Sequence, residues 1–131
     1  MRIVVDTNTL LAVAMNEPEK AWLVEVTSGH DLVAPAVLPF EIGNALSSLV
    51  RREAVEERHV AAVWDETTRI PVELKSIDVR SALLLAGHFR IYAYDAYFLQ
   101  CSIDSKAPLL SLDRGMQRVA KALNIEVWEK E

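Results

Sequence analysis

The sequence is poor in cysteine and glycine, with one and four respectively, and it has no excess of positive charge. Each scarcity removes a class of explanation. The lone Cys101 cannot close an internal disulfide, so a buried core must hold the fold, a usage that suits a reducing cytoplasm. Cys101 lies in a helical-looking segment with no histidine near it in sequence, and reads as a small core residue. No apolar run approaches the roughly 20 residues needed to cross a bilayer, and no membrane partner is expected. One arginine followed by a short apolar stretch also lacks the form of a secretion signal. His30, His59 and His88 stand apart, without the spacing of a Cys/His metal centre. The net charge of −5 ordinarily disfavours nucleic acid, whose binding is driven largely by Lys and Arg.

What is present is apolar residues, 51% of a chain of 131. That is enough for a real core, and residues 1–131 are expected to form a single domain. Ile3 to Val5 is apolar and β-branched throughout, as in a strand buried on both faces of a parallel sheet. Helices are predicted over Thr9 to Met15 and Pro18 to Thr27, then a strand from Leu32 to Ala34 stopped by Pro35. Leu38, Ile42, Ala45, Leu46 and Leu49 recur at helical spacing between Val37 and about Arg52, and a further helix covers Glu56 to Thr68. A third strand is placed at Pro71 to Leu74 and a helix at Ser76 to His88, capped by Ser76 or Asp78. Arg90 to Tyr94 reads as a connector, Asp95 to about Ile103 as a helix, and Leu109 to Leu112 as a fourth strand. A helix from Arg114 to Leu123 and a last strand from Ile125 to Trp128 complete the chain. Strands alternate with helices from end to end, with no repeat or linker to divide them. The pattern predicts an α/β three-layer sandwich, a central mostly parallel sheet flanked by helices.

In an open parallel sheet, ligands bind beyond the carboxyl ends of the strands. Asp6 ends the first predicted strand and Asp113 the fourth, Asp95 opens a helix as its N-cap or in its first turn, and Glu41 lies in the first turns of the helix after strand two. All four can reach the same rim. An aspartate in such a place is more often a helix cap than a ligand, and Glu41 alone would read as a solvated helix flank. Together, like charges are tolerated only when protons or cations neutralise them. Oxygen ligands without Cys or His point to Mg²⁺ or Mn²⁺, and such an ion with bound water points to hydrolysis of a phosphate ester.

Four local motifs, "VVDTNTLL", "PFEIGNAL", "YAYDAYFLQC" and "LLSLDRGM", resemble those of the PIN domain, most closely the VapC toxins of prokaryotic toxin–antitoxin pairs. The resemblance covers nearly the whole chain in the family's order. It implies a metal-dependent endoribonuclease in which Asp6, Glu41, Asp95 and Asp113 form the acidic pocket for one or two Mg²⁺ or Mn²⁺ ions. Asn8, Asn44 and Ser111 match supporting polar positions, Ser111 standing where many relatives carry threonine. Tyr97 matches a frequent aromatic and reads as packing. Pro39 and Phe40 depart from the polar or aliphatic residues common before the glutamate. The resemblance also implies a homodimer and a small VapB-like antitoxin whose tail covers the pocket.

The acidic balance does not exclude RNA, since setting aside the four cluster acids leaves a net charge of −1 from −5. Arg114, Arg118 and Lys121 recur at helical spacing after Asp113 as candidate phosphate contacts, although a solvated helix face has the same pattern. Arg51 and Arg52 share that ambiguity. The apolar residues Leu11, Val13, Met15, Trp22 and Leu23 of the first helical pair either bind a partner or belong to the core. Two rivals remain at this point: a metal-dependent phosphatase of another α/β family, and a non-catalytic RNA-binding PIN module. The first lacks its second aspartate in Asp6-Thr7-Asn8 and gives Glu41 no role; the second would ordinarily show missing acids.

Overall fold

A computed structural model describes residues 1–130. Five parallel strands, β1 (Arg2–Val5), β2 (Asp31–Pro35), β3 (Glu73–Lys75), β4 (Leu109–Leu110) and β5 (Val127–Trp128), form one sheet in the order β3-β2-β1-β4-β5. The helices are α1 (Thr7–Ala14), α2 (Lys20–Thr27), α3 (Leu38–Arg51), α4 (Val60–Thr68), α5 (Val79–Phe89), α6 (Ala93–Ser105) and α7 (Arg114–Ala122). A 3₁₀ turn at Glu57–His59 precedes α4. Helices α1 to α4 pack on one another, whereas α6 packs on β1 and β2 with α5 and α7 against it. Helices thus flank a parallel sheet, the sandwich that the alternation of elements predicts.

The centre of the sheet is the strand with no polar side. Ile3, Val4 and Val5 are fully buried because β2 and β4 flank β1 and helices cover both faces. Burying each such side chain stabilises the fold by about 1.5–3 kcal/mol. Strand order reverses at β1: the chain first builds outward through β2 and β3, then returns to add β4 and β5 on the other side. The strands flanking this switch point are β1 and β4, and it is beyond the carboxyl ends of such strands that open parallel sheets bind their ligands.

Several boundaries differ from the sequence expectation. Pro35 closes β2 from inside it, β3 sits two residues later than Pro71, and the expected connector ends early because α6 starts at Ala93. Strand β4 pairs only through Leu110, so Asp113 does not end a strand; it caps α7. Asp78, and not Ser76, caps α5, accepting the Ser81 amide N–H at 3.2 Å. Leu11 and Leu23 of the α1–α2 pair are buried, and Val13, Met15 and Trp22 pack half-buried against the core. The scarcity of glycine leaves its mark here, since Asn16, Glu53, Arg90, Lys106 and Asn124 all adopt positive φ where chains commonly place glycine.

Candidate active site

Asp6 leaves the end of β1 and becomes the N-cap of α1, so a rigid central strand delivers it to the switch point. It is buried at 5% exposure yet fully partnered. One carboxylate oxygen accepts the Thr9 amide N–H at 3.0 Å and the Thr9 hydroxyl at 2.6 Å; the other accepts the Ser111 hydroxyl at 2.5 Å. Burial pushes the Asp6 carboxyl above its ordinary range, the hydrogen bonds from Ser111 and Thr9 pull it back, and the charge of Asp113 adds a smaller upward push.

Ser111 lies just past β4 and is wholly buried. Its oxygen accepts the Asp113 amide N–H at 3.0 Å while its hydroxyl donates to Asp6, so one side chain ties the last acid to the first across 105 residues of sequence. Gln117 fixes this turn by donating its side-chain amide to the Ser111 carbonyl at 2.6 Å. Asp113 itself is exposed, and accepts the Met116 amide N–H at 3.0 Å as the cap of α7. A Cβ on Gly115 would approach the Asp113 carboxylate to 3.1 Å, so the small residue leaves room for that cap.

Glu41 stands in the first turn of α3 and Asp95 in the first turn of α6, both half-buried. Burial is the main force raising both carboxyls. Asp95 and then Asp6 add repulsion at Glu41, while Asp113 and then Asp6 do so at Asp95. Four acids from four segments therefore feel one another at one edge. None takes part in an ion pair among the described residues. One Glu41 oxygen is buried there without a hydrogen-bond partner.

This donor set suits a hard cation: all oxygen, mutually repelling, with an orphaned acceptor and no protein cation in attendance. Among the described residues no three such side chains meet at ligating distance around one point. That spacing is compatible with Mg²⁺, which keeps several waters and takes only one or two protein carboxylates.

The other expected site residues divide. Ser111 is joined to the acids directly. Asn8 lies on the first turn of α1 and Asn44 on the second turn of α3, both exposed, and their side chains make no hydrogen bond among the described residues. Arg114 and Arg118 are exposed on α7, whereas Lys121 is drawn away to Glu129 at 2.7 Å. Tyr97 is half-buried and meets Tyr94 edge-to-face at 6.0 Å, as packing requires. Sequence reasoning missed Thr9 and Gln117. The signal for Thr9 was present, because an N-cap acid bonds the residue three places on, which is Thr9 and not Asn8.

A family model described as the PIN domain matches residues 3–122. No curated protein matches the sequence significantly. Among solved structures, PAE2754 from Pyrobaculum aerophilum is similar at 20% identity and a TM-score of 0.65, over 97% of this chain and 92% of that one. VapBC2 from Rickettsia felis, bound to a promoter DNA fragment, is similar at 12% identity and a TM-score of 0.66, over 98% of each chain. VapC20 of Mycobacterium tuberculosis, a sarcin-ricin loop cleaving toxin, is similar at 12% identity and a TM-score of 0.61, over 88% of this chain and 93% of that one. At such identities the structural likeness speaks for the fold, and the family match over nearly the full length speaks for descent: the chain belongs to the PIN domain family.

Proposed function

We propose that this chain, as one domain over residues 1–131, is a divalent-metal-dependent endoribonuclease, the VapC-like toxin of a type II toxin–antitoxin pair. The observation that supports this most is the gathering of Asp6, Glu41, Asp95 and Asp113 at the switch point with no ion-pair partner among the described residues. These four residues hold one or two ions, Mg²⁺ or Mn²⁺. When bound, such an ion acidifies a water toward hydroxide and shields charge developing on the phosphodiester. The chain's own part is positioning. Thr9 and Ser111 clamp both oxygens of Asp6 so that it presents a fixed face, and Gln117 holds the Ser111 turn. Asn8, on the first turn of α1, and Asn44, one turn after Glu41 on α3, serve the bound waters, while Arg114 and Arg118 meet flanking phosphates.

The same reading assigns a small VapB-like antitoxin and a second copy of the chain as protein partners, in the cytoplasm. It draws on the likeness to the R. felis VapBC2 structure and to VapC20, described as a sarcin-ricin loop cleaving toxin. The test is incubation of the purified protein with structured RNA in Mg²⁺, Mn²⁺ or EDTA, beside an Asp95→Asn variant. Cleavage is expected only with metal and only in the parent protein; cleavage that ignores EDTA and survives the substitution sinks the site. Metal-dependent release of phosphate from a small phosphomonoester, with RNA left intact, would favour the phosphatase instead.

A further inference from the structure

The chain has three Phe, three Tyr and three Trp, and folding accounts for six of these nine rings, which are buried or half-buried. The other three are Phe40 at 74% exposure, Tyr92 at 82% and Tyr94 at 41%. All three lie within three residues of a cluster acid: Phe40 precedes Glu41, and Tyr92 and Tyr94 precede Asp95. A phenylalanine left three-quarters in water on a first helical turn contributes nothing to the core, and neither does the Tyr92 ring at the N-cap of α6. Tyr94 is braced edge-to-face by Tyr97. Helix α3 leaves the carboxyl end of β2 and α6 runs back to the amino end of β4, so in this parallel sheet both helices begin at the carboxyl edge. Exposed rings thus stand at the starts of the two helices that carry Glu41 and Asp95.

We propose that Phe40 and Tyr92 are stacking platforms for the two bases that flank the scissile phosphate. This rests on the nuclease reading above and adds to it the residues that seat the substrate. Two observations favour nucleobases as the occupant. A flat apolar ring on an acidic rim matches the face of any base, and stacking requires no positive charge. The chain is also short of phosphate-binding charge, with a net −5, so base stacking must carry more of the affinity than counterion release does. Both bases must be unpaired to offer their faces, so a duplex is rejected at this site.

The test compares the parent protein with Phe40→Leu, Tyr92→Leu and Tyr92→Phe on a short oligoribonucleotide carrying a fluorescent adenine analogue, with Mg²⁺ present. Cleavage by the parent tests the nuclease reading; quenching of the analogue tests stacking. Each leucine variant is expected to raise KM on the order of 5- to 100-fold and to lose quenching, with its melting temperature unchanged. Tyr92→Phe is expected to behave as the parent, because the ring and not the hydroxyl stacks. Parental KM and quenching in both leucine variants, while the parent cleaves, overturns the proposal alone. Quenching that depends on the rings in a protein that cleaves nothing overturns the nuclease reading and leaves stacking standing. Normal RNA binding by the leucine variants with lost binding of a protein partner overturns it in favour of protein docking.

Discussion

Replacing Asp95 by asparagine should make the metal-free protein more stable while removing its activity. Asp95 is half-buried among Asp6, Glu41 and Asp113, and none of the four is paired with a cation among the described residues. On a rim open to water each like-charge contact costs about 0.5 kcal/mol. Three of them, relieved together, give roughly 1.5 kcal/mol, an increase of about 3–8 °C in melting temperature for a domain of this size. The pH dependence carries the sign. Burial and repulsion raise the folded carboxyl above its ordinary 3.8, so the folded state holds the proton more tightly than the unfolded chain. The stability this contributes is complete below 3.8 and is lost as pH rises through the folded value. The gain from Asp95→Asn should therefore appear at neutral pH and vanish in acid. Thermal unfolding followed by circular dichroism in EDTA, at neutral and acid pH, measures this. Added Mg²⁺ should then stabilise the parent more than the variant. A variant less stable than the parent at neutral pH in EDTA, or a gain indifferent to pH, refutes the argument.

Other outcomes follow from individual contacts. Ser111→Ala removes one hydrogen bond to a buried carboxylate and one from a backbone N–H, and should cost about 2–4 kcal/mol in denaturant melts, together with most of the nuclease activity. Lys106→Gly relieves a left-handed residue, φ 51°, at the end of α6 and should stabilise by about 0.5–1 kcal/mol without touching cleavage. The Cys101 thiol, buried and pushed up to about 11, should resist thiol reagents at mildly alkaline pH until the protein unfolds.

The parts of the fold legible in the sequence were those where one force dominates. Ile3 to Val5 could only be a doubly buried strand, and the four acids fell at element ends because strands and helices alternate so regularly. Strand β3 was misplaced because, as an edge strand of Glu73, Leu74 and Lys75, it is exposed on most positions and carries little apolar signal. Asp113 was read as ending β4 because Leu109 to Leu112 is apolar enough for a longer strand, whereas Ser111 turns away to bond Asp6. Asn8 drew notice over Thr9 because the eye follows polarity, but the geometry of a helix cap selects the third residue on.

The hydrogen bond between Ser111 and Asp6 also sets a clock. During synthesis β1 emerges first, and its neighbour β4 arrives only when most of the chain has been made. Local helices can form early, but a contact spanning 105 residues must wait for its far partner and for the entropy of closing that loop. The acidic edge is thus assembled last. A nascent chain short of residue 111 lacks the clamp on Asp6, and one stopped before residue 113 also lacks the fourth acid. If the chain is the toxin proposed above, a ribosome making it carries no finished nuclease until residue 113 has been made and freed to fold.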